Sequence, residues 1–132
     1  MDANNREFSG ILGKEVYEII GCAFEVHNTL GHGLKEKLYE NALCVDFGFG
    51  DILFEQQKIF KVHYKGEHIG EFVPDLIVHD TIIIDAKTIE RITDIERGQV
   101  LNYLRISGLQ IGLLINFKGP RLEWEHIILT TT

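Results

Sequence analysis

The chain has little cysteine and little proline, and each shortage excludes a class of protein. Cys22 and Cys44 are too few for a disulfide framework, and without a CxxC or HxxxH pair no zinc site is expected. Two prolines in 132 residues, together with a hydrophobic fraction of 45%, favour a folded globular chain over a disordered one. We expect both cysteines to be reduced and buried, as in a cytoplasmic protein.

Long hydrophobic runs are also missing. No apolar stretch approaches the length of a bilayer span, and the polar start at residues 1–6 is unlike a signal peptide, so we expect no membrane segment. Basic charge is scarce as well, because 13 lysines and arginines against 20 acids give a net charge of −7. This balance argues against a nucleic-acid partner, since phosphate contacts dominate such affinity, unless a local basic rim supplies them.

The length predicts one domain, residues 1–132, in which residues 1–12 form a flexible N-terminal segment. Apolar residues at helical spacing predict helices over residues 13–30, 34–47 and 93–106. Runs of β-branched and aromatic residues predict strands over residues 52–64, 68–78, 81–87, 111–117 and 121–129. The order α-α-β-β-β-α-β-β predicts an α/β (α+β mixed) fold with a central mixed sheet flanked by helices.

Some elements carry finer expectations. In the second helix we expect an inward face made of Leu38, Ala42, Leu43 and Val45. The strand over residues 81–87 should be central, and the apolar strand over residues 111–117 should be buried on both faces. The alternating strand over residues 121–129 should lie at an edge.

Two acids and a lysine stand on consecutive strand-like runs. If these runs form a hairpin turning about Asp80, Asp75 lies directly opposite Asp85, because both are equidistant from the turn. Lys87 then projects from the same face as Asp85, since alternate strand side chains share a face. Unpaired like charges directly opposite each other destabilise a sheet, so the pattern predicts a bound divalent cation.

The carboxylates of Asp75 and Asp85 offer oxygen ligands that suit Mg²⁺ or Mn²⁺, and the backbone carbonyl of Ala86 offers another. Such a metal can polarise a phosphoryl oxygen and lower the pKa of a water, with Lys87 beside it to stabilise developing charge. The alternative is an exposed hairpin with one acid on each strand and a surface lysine. The end of an apolar strand is a costly place for an unpaired acid, which favours the metal site.

The register of the hairpin decides between these alternatives. A two-residue turn at positions 80–81 would pair Asp75 with Ala86 instead of Asp85. The acids would then face opposite sides of the sheet, and no metal site would exist.

Two polar pairs on predicted helices could complete the site. Glu36 and Glu40 share one helical face, which is either solvated or supplies a third carboxylate, and their spacing does not rank them. Gln99 and Tyr103 share a face of the third helix. Either Gln99 caps a backbone group and Tyr103 is half-buried in the core, or Gln99 binds a phosphate or a metal-associated water and Tyr103 supports it.

Three motifs, in this order along the chain, resemble the PD-(D/E)XK nuclease superfamily. Residues 33–39 read as GxxExxY, the element that names a group of small bacterial and archaeal proteins. Pro74-Asp75 followed by Asp85-Ala86-Lys87 is similar to the superfamily signature, and residues 99–103 are similar to the QxxxY element of its RecB-like branch. The resemblance extends over residues 16–128 and implies a restriction-endonuclease-like core.

The resemblance also implies a role for each residue. Asp75, Asp85 and Glu36 would be metal ligands, and Lys87 would be the catalytic lysine. Gln99 would contribute to catalysis, Tyr103 would support it, and Glu40 would be a substitute helical acid. Together they imply a Mg²⁺-dependent or Mn²⁺-dependent nuclease that hydrolyses phosphodiester bonds, of DNA in preference to RNA. One chain of this length would read nucleic-acid shape, act as a homodimer, or take its specificity from a protein partner.

Two functions of other classes stay open. A nuclease-fold module that binds nucleic acid or assembles with proteins without cleaving is favoured by the net negative charge. The presence of Asp75, Asp85 and Lys87 argues against it. A small-molecule hydrolase using the same metal site has no sequence feature in its favour.

Overall fold

The computed structural model describes residue 10 and residues 12–130. The predicted flexible segment at residues 1–12 therefore lies, apart from Gly10 and Leu12, outside the described residues. In chain order the elements are α1 Gly13–Leu30, α2 Glu36–Phe49, β1 Phe54–Gln56, β2 Phe60–Tyr64, β3 Glu67–Phe72, β4 Leu76–Val78, β5 Ile82–Lys87, α3 Asp94–Ser107, β6 Ile111–Asn116 and β7 Glu123–Ile128.

Five strands form one mixed sheet in the order β1-β4-β5-β6-β7. The β5 and β6 strands pair in parallel, and the other neighbours pair antiparallel. All six residues of β6 are buried, and only Lys87 of β5 is not fully buried. The predictions of a central strand, of a strand buried on both faces and of an edge strand at the end of the chain are therefore confirmed.

The two faces of this sheet pack against different helices. One face, which includes Ile82, Ile84 and Ala86 of β5, packs with α1 and α2 into the larger hydrophobic cluster. The opposite face, which includes Ile77 and Ile83, packs against α3. A mixed sheet flanked by helices on both faces is the predicted fold class.

The β2 and β3 strands form a separate two-stranded sheet. The prediction had one strand over residues 52–64 and another over residues 68–78, and each is divided in two. At the first break Gln57 has a positive φ of 63°, which turns the chain out of the main sheet. Pro74 lies in the second break, where a missing N–H costs no ladder hydrogen bond. The observed order is therefore α-α-β-β-β-β-β-α-β-β.

The inward face of α2 also differs from the prediction. Leu38 is 49% exposed and Val45 is 57% exposed, whereas Tyr39 and Phe47 are fully buried. Leu43 is buried as expected. The helix carries apolar residues around most of its circumference, so the spacing of apolar residues alone predicted the wrong buried face.

Two expectations from composition concern the cysteines and membranes. Cys22 and Cys44 are free thiols, each half-buried rather than fully buried. Within the described ranges, no helix combines the length and the apolar character that crossing a bilayer needs.

Candidate active site

The predicted register of the acidic hairpin is confirmed. The β4 and β5 strands pair antiparallel, and their last pair places Leu76 opposite Ile84. Extending the ladder by one residue places Asp75 opposite Asp85. The alternative register, with Asp75 opposite Ala86, is wrong.

A short turn produces this register. His79 and Asp80 have positive φ values of 54° and 56°, as in the primed turns that suit the twist of hairpins. The N–H of Thr81 donates to the carbonyl of Val78 at 3.0 Å and closes the turn. Three residues therefore separate the paired positions Val78 and Ile82, and Asp80 is the centre of the hairpin.

Asp75, Asp85 and Lys87 come together on the α3 face of the sheet. Asp85 and Lys87 alternate with Ile83, whose side chain packs in the α3 cluster. The Nζ of Lys87 lies 3.5 Å from Oδ1 of Asp85. Oδ2 of Asp75 accepts a hydrogen bond from the N–H of Ala86 at 3.0 Å, which holds that carboxylate against the end of β5.

A cavity of about 170 Å³ opens over this group. Its polar wall consists of Glu36, Asp75, Asp85, Lys87 and Tyr103. Its apolar wall consists of Phe72, Val73, Pro74, Ile83 and Ile84. The first turn of α2, the end of β5, the side of α3 and the segment between β3 and β4 thus meet at one concave site.

The acids in this cavity are held away from water. Burial and the charge of Asp85 raise the pKa of Asp75 to about 7. Burial raises the pKa of Asp85 to about 6, although the Lys87 ammonium opposes the shift. Burial alone would lower the pKa of Lys87, but the charges of Asp85 and Glu36 outweigh it and raise that pKa. The site therefore presents a charged lysine beside two acids that resist ionisation.

The side chain of Asp85 contains an unsatisfied hydrogen-bond acceptor. Oδ2 of Asp85 is buried and has no hydrogen-bond partner. A buried acceptor without a partner costs free energy, and a cation would remove that cost. The carboxylate oxygens of Asp75, Asp85 and Glu36 are also hard ligands of the kind that Mg²⁺ and Mn²⁺ prefer. The residues present fit a divalent cation.

The protein ligands are nevertheless few. Over residues 12–130, no three His, Cys, Asp or Glu side chains are gathered closely enough to hold a metal ion by themselves. Mg²⁺ is commonly bound through one or two carboxylates, with water and substrate phosphate completing its shell. An arrangement of two aspartates with Glu36 at the rim suits that mode of binding.

Glu36 and Glu40 have different environments, which their spacing in the sequence could not distinguish. Glu36 lines the cavity, and its charge acts on both aspartates. Glu40 is 3% exposed, and its Oε2 accepts hydrogen bonds from Lys37 at 2.9 Å, Gln56 at 2.6 Å and Gln57 at 3.3 Å. Glu40 joins α2 to β1, which leaves Glu36 as the better placed helical acid.

The remaining predicted residues divide into two groups. Tyr103 lines the cavity, and its ring stacks on Phe72 with centroids 4.0 Å apart. Gln99 lies one helical turn earlier, is exposed, and is not among the residues that line the cavity. Ala86 is fully buried behind the wall, so a ligand role for its carbonyl stays a prediction.

Tyr39 belongs to the GxxExxY motif, but no role was predicted for it from the sequence. Its hydroxyl donates to the carbonyl of Gly31 at 2.7 Å and accepts from the N–H of Leu34 at 3.2 Å. Its ring stacks on Phe117 with centroids 4.5 Å apart. Tyr39 thereby fastens the loop between α1 and α2, and that loop leads directly into Glu36.

Phe72 is a second residue that the sequence did not single out. It forms part of the cavity wall and contacts both Phe60 and Tyr103. An aromatic residue three positions before the first acid was the available signal. The position of Phe72 in the cavity wall depends on the break between β3 and β4, and that break was not predicted from the sequence.

One family model and two solved structures are similar to this chain. A family model described as the PD-(D/E)XK nuclease superfamily matches residues 13–127. The crystal structure of SSO0001 is similar with a TM-score of 0.51 and 14% identity, covering 95% of this chain and 81% of that one. An alkaline exonuclease from Laribacter hongkongensis is similar with a TM-score of 0.45 and 11% identity, covering 95% and 74%. The curated proteins contain no significant match.

Proposed function

The chain belongs to the PD-(D/E)XK nuclease superfamily, and from this premise we propose that it is a Mg²⁺-dependent or Mn²⁺-dependent nuclease that hydrolyses phosphodiester bonds of DNA. The observation that carries the proposal is the buried, unpartnered Oδ2 of Asp85 beside Asp75 and Lys87. We further propose that the chain belongs to the GxxExxY group and the RecB-like branch, because Glu36 and Tyr103 of those motifs line one cavity and Tyr39 fastens the loop that leads into Glu36.

The reaction requires a water oxygen to bond to phosphorus while the bond from phosphorus to the leaving oxygen breaks. The water proton passes to solvent, and the leaving oxygen takes a proton from solvent. A divalent cation at the site would supply the Lewis acidity for this step. Asp75 and Asp85 would hold it, with Glu36 contacting its water shell. The Lys87 ammonium, 3.5 Å from Asp85, would stabilise negative charge that develops on the phosphoryl oxygens.

The surroundings of the site suit a nucleic-acid strand. The cavity is open and too small to enclose a nucleotide, so it would take one phosphodiester while the rest of the substrate lies outside. The whole chain, residues 1–132, would act as one domain. Its specificity would come from nucleic-acid shape, from a second copy in a homodimer, or from a protein partner, with Gln99 at the rim contacting phosphate.

Cleavage by variants tests this proposal. Purified protein with Mg²⁺ or Mn²⁺ should cut single-stranded, duplex or branched DNA in preference to RNA. The substitutions Asp85→Ala and Lys87→Ala should each lower the rate by about a hundredfold or more, because each removes a group that acts on the reacting phosphate. Glu90→Ala is the matched control, since this acid is exposed and pairs with Lys118 at the surface.

The two helical acids give a sharper comparison. Glu36→Gln should weaken Mn²⁺ binding, measured by calorimetry, and should leave the melting temperature almost unchanged. Glu40→Ala should cost about 1–3 kcal/mol of stability, because it removes a buried carboxylate that accepts hydrogen bonds from Lys37, Gln56 and Gln57.

Three outcomes would count against cleavage. Equal trace activity in wild type, Asp85→Ala and Lys87→Ala would identify a contaminant. Specific DNA binding without any hydrolysis would favour a non-cleaving module, to which the net charge of −7 already points. Mn²⁺ binding that survives removal of both aspartates would place the metal elsewhere.

A further inference from the structure

The two-stranded sheet of β2 and β3, here called the ribbon (residues 60–72), stands apart from the main sheet. Of its thirteen residues, only Phe60, Val62, Gly70 and Phe72 are not exposed. A lone two-stranded hairpin is marginally stable in water, so its persistence here needs an anchor. Phe60 and Phe72 supply one at the base, with ring centroids 6.1 Å apart and Phe72 stacked on Tyr103 of α3.

The segment from Lys58 through β2 to the turn of the ribbon is basic and aromatic, unlike the chain as a whole. Residues 58–72 contain three lysines and two histidines against two glutamates, whereas the whole chain has a net charge of −7. Residues 56–66 contain no acid. The ammonium of Lys65 lies 5.3 Å from the ring centroid of Tyr64, and that of Lys58 lies 5.6 Å from the ring centroid of Phe60.

The ribbon leads directly into the candidate active site. Its last residue, Phe72, is part of the cavity wall, and Asp75 follows three residues later. The six residues of β3 extend about 20 Å at the usual rise of a strand, so the turn at positions 65–66 reaches well beyond the cavity. A substrate phosphate in the cavity would therefore have neighbouring phosphates beside the ribbon.

We propose that the ribbon, together with Lys58 just before it, is a binding arm for double-stranded nucleic acid, in which Lys58, Lys61 and Lys65 contact backbone phosphates next to the scissile one. This inference rests on the proposed function for the position of the scissile phosphate. A two-stranded ribbon fits the major groove of a duplex, which is about 12 Å wide. Three local lysines also explain how a chain of net negative charge could hold a polyanion, because phosphate contacts act at short range in salt.

Binding in the absence of divalent metal tests the arm without any cleavage. The arm variant carries Lys58→Gln, Lys61→Gln and Lys65→Gln, and the matched control carries Lys14→Gln, Arg105→Gln and Lys118→Gln. Both variants change the net charge equally at exposed positions outside the cavity. Affinity for a fluorescent duplex of about 30 base pairs would be measured by anisotropy at several salt concentrations, in chelator.

The arm variant should bind about tenfold or more weakly than wild type. The slope of log affinity against log salt should become shallower by about 0.9 for each backbone phosphate that the arm no longer neutralises. The control variant should stay within about twofold of wild type. With Mg²⁺ present, the arm variant should show a raised KM with a kcat close to wild type, since its substitutions leave the cavity intact.

Several outcomes would overturn the arm. Equal weakening in both triple variants would show a general charge effect, and no duplex binding by wild type would remove the basis of the inference. A shift from dimer to monomer in light scattering, confined to the arm variant, would make the ribbon a contact between copies. If the arm variant fails to melt cooperatively, Lys61→Gln alone should still reduce the salt slope, and an unchanged slope would refute the inference. Absence of cleavage with retained arm binding would instead refute the proposed function.

Discussion

At the scale of single residues, the two aspartates of the cavity oppose folding when no cation is bound. Their folded-state pKa values of about 7 and about 6 lie above the ordinary value of 3.8. Over that interval the folded protein holds protons that the unfolded chain has released, so stability falls as pH rises. This destabilisation is absent below about pH 4 and complete above about pH 7.

This cost predicts a pH-dependent difference between wild type and Asp75→Asn/Asp85→Asn. In chelator at about pH 8, the double variant should be more stable by about 2 kcal/mol or more, because it removes both buried carboxylate charges from the cavity. Near pH 4 the two proteins should differ little. Denaturant unfolding across this range measures the difference, and Mg²⁺ should stabilise wild type alone. Parallel pH profiles for the two proteins would contradict the burial of charge at these positions.

The residues of the site were predictable to an unequal degree. Asp75, Asp85 and Lys87 followed from strand alternation and a turn of odd length, which are local properties of the sequence. The choice of Glu36 over Glu40 was implied by the family resemblance but did not follow from spacing, since it depends on which side of α2 faces β1. That orientation is set by packing of Tyr39 and Phe47, which no local spacing encodes.

At the scale of elements, α3 approaches β6 as closely as side chains allow. A Cβ built at Gly112 would lie 2.5 Å from Cγ1 of Val100 and 3.8 Å from Cδ2 of Leu104. Val100 is fully buried and β-branched, so it has little freedom to move aside. The absence of a side chain at position 112 therefore sets how close the helix comes to the sheet.

Gly112→Ala should destabilise the protein by about 1–3 kcal/mol through overpacking. Gly21→Ala is the matched control, because Gly21 lies in the middle of α1 with nothing within 4 Å of the added Cβ. That control should stabilise by about 0.5–1 kcal/mol through helix propensity. Urea unfolding of both variants measures the two opposite signs. An equal effect at both sites would refute the close packing of α3 on β6.

Elements with strong local signals were predicted well. The apolar repeat of α1 gave its bounds, Gly13–Leu30, without error. The strands over residues 52–78 were merged in the prediction, because their residues suit a strand wherever it pairs. Which partner each segment takes depends on contacts far along the chain, such as the stacking of Phe72 on Tyr103.

At the scale of the whole molecule, protection from solvent is uneven. The β5 and β6 strands have neighbours on both edges and helices over both faces. The ribbon has one ladder and an exposed surface. Local opening of the ribbon should therefore cost far less free energy than opening of the centre.

Hydrogen exchange should reveal this difference. Amides of β5 and β6 should exchange only through global unfolding, and paired amides of the ribbon should exchange through local opening with a free energy several kcal/mol lower. Native-state exchange followed by mass spectrometry or NMR would measure both regions in one sample. Equal protection in both regions would mean that the ribbon unfolds together with the core.

The loop that Tyr39 fastens separates two tasks within one short motif. In the GxxExxY element, Gly33 takes a positive φ of 100°, Tyr39 satisfies two backbone groups, and Glu36 alone reaches the cavity. A variant that kept Gly33 and Tyr39 but replaced Glu36 would therefore keep the loop and its hydrogen bonds while changing the wall of the cavity. The two ends of the motif hold the loop, and its central acid is the part that faces the cavity.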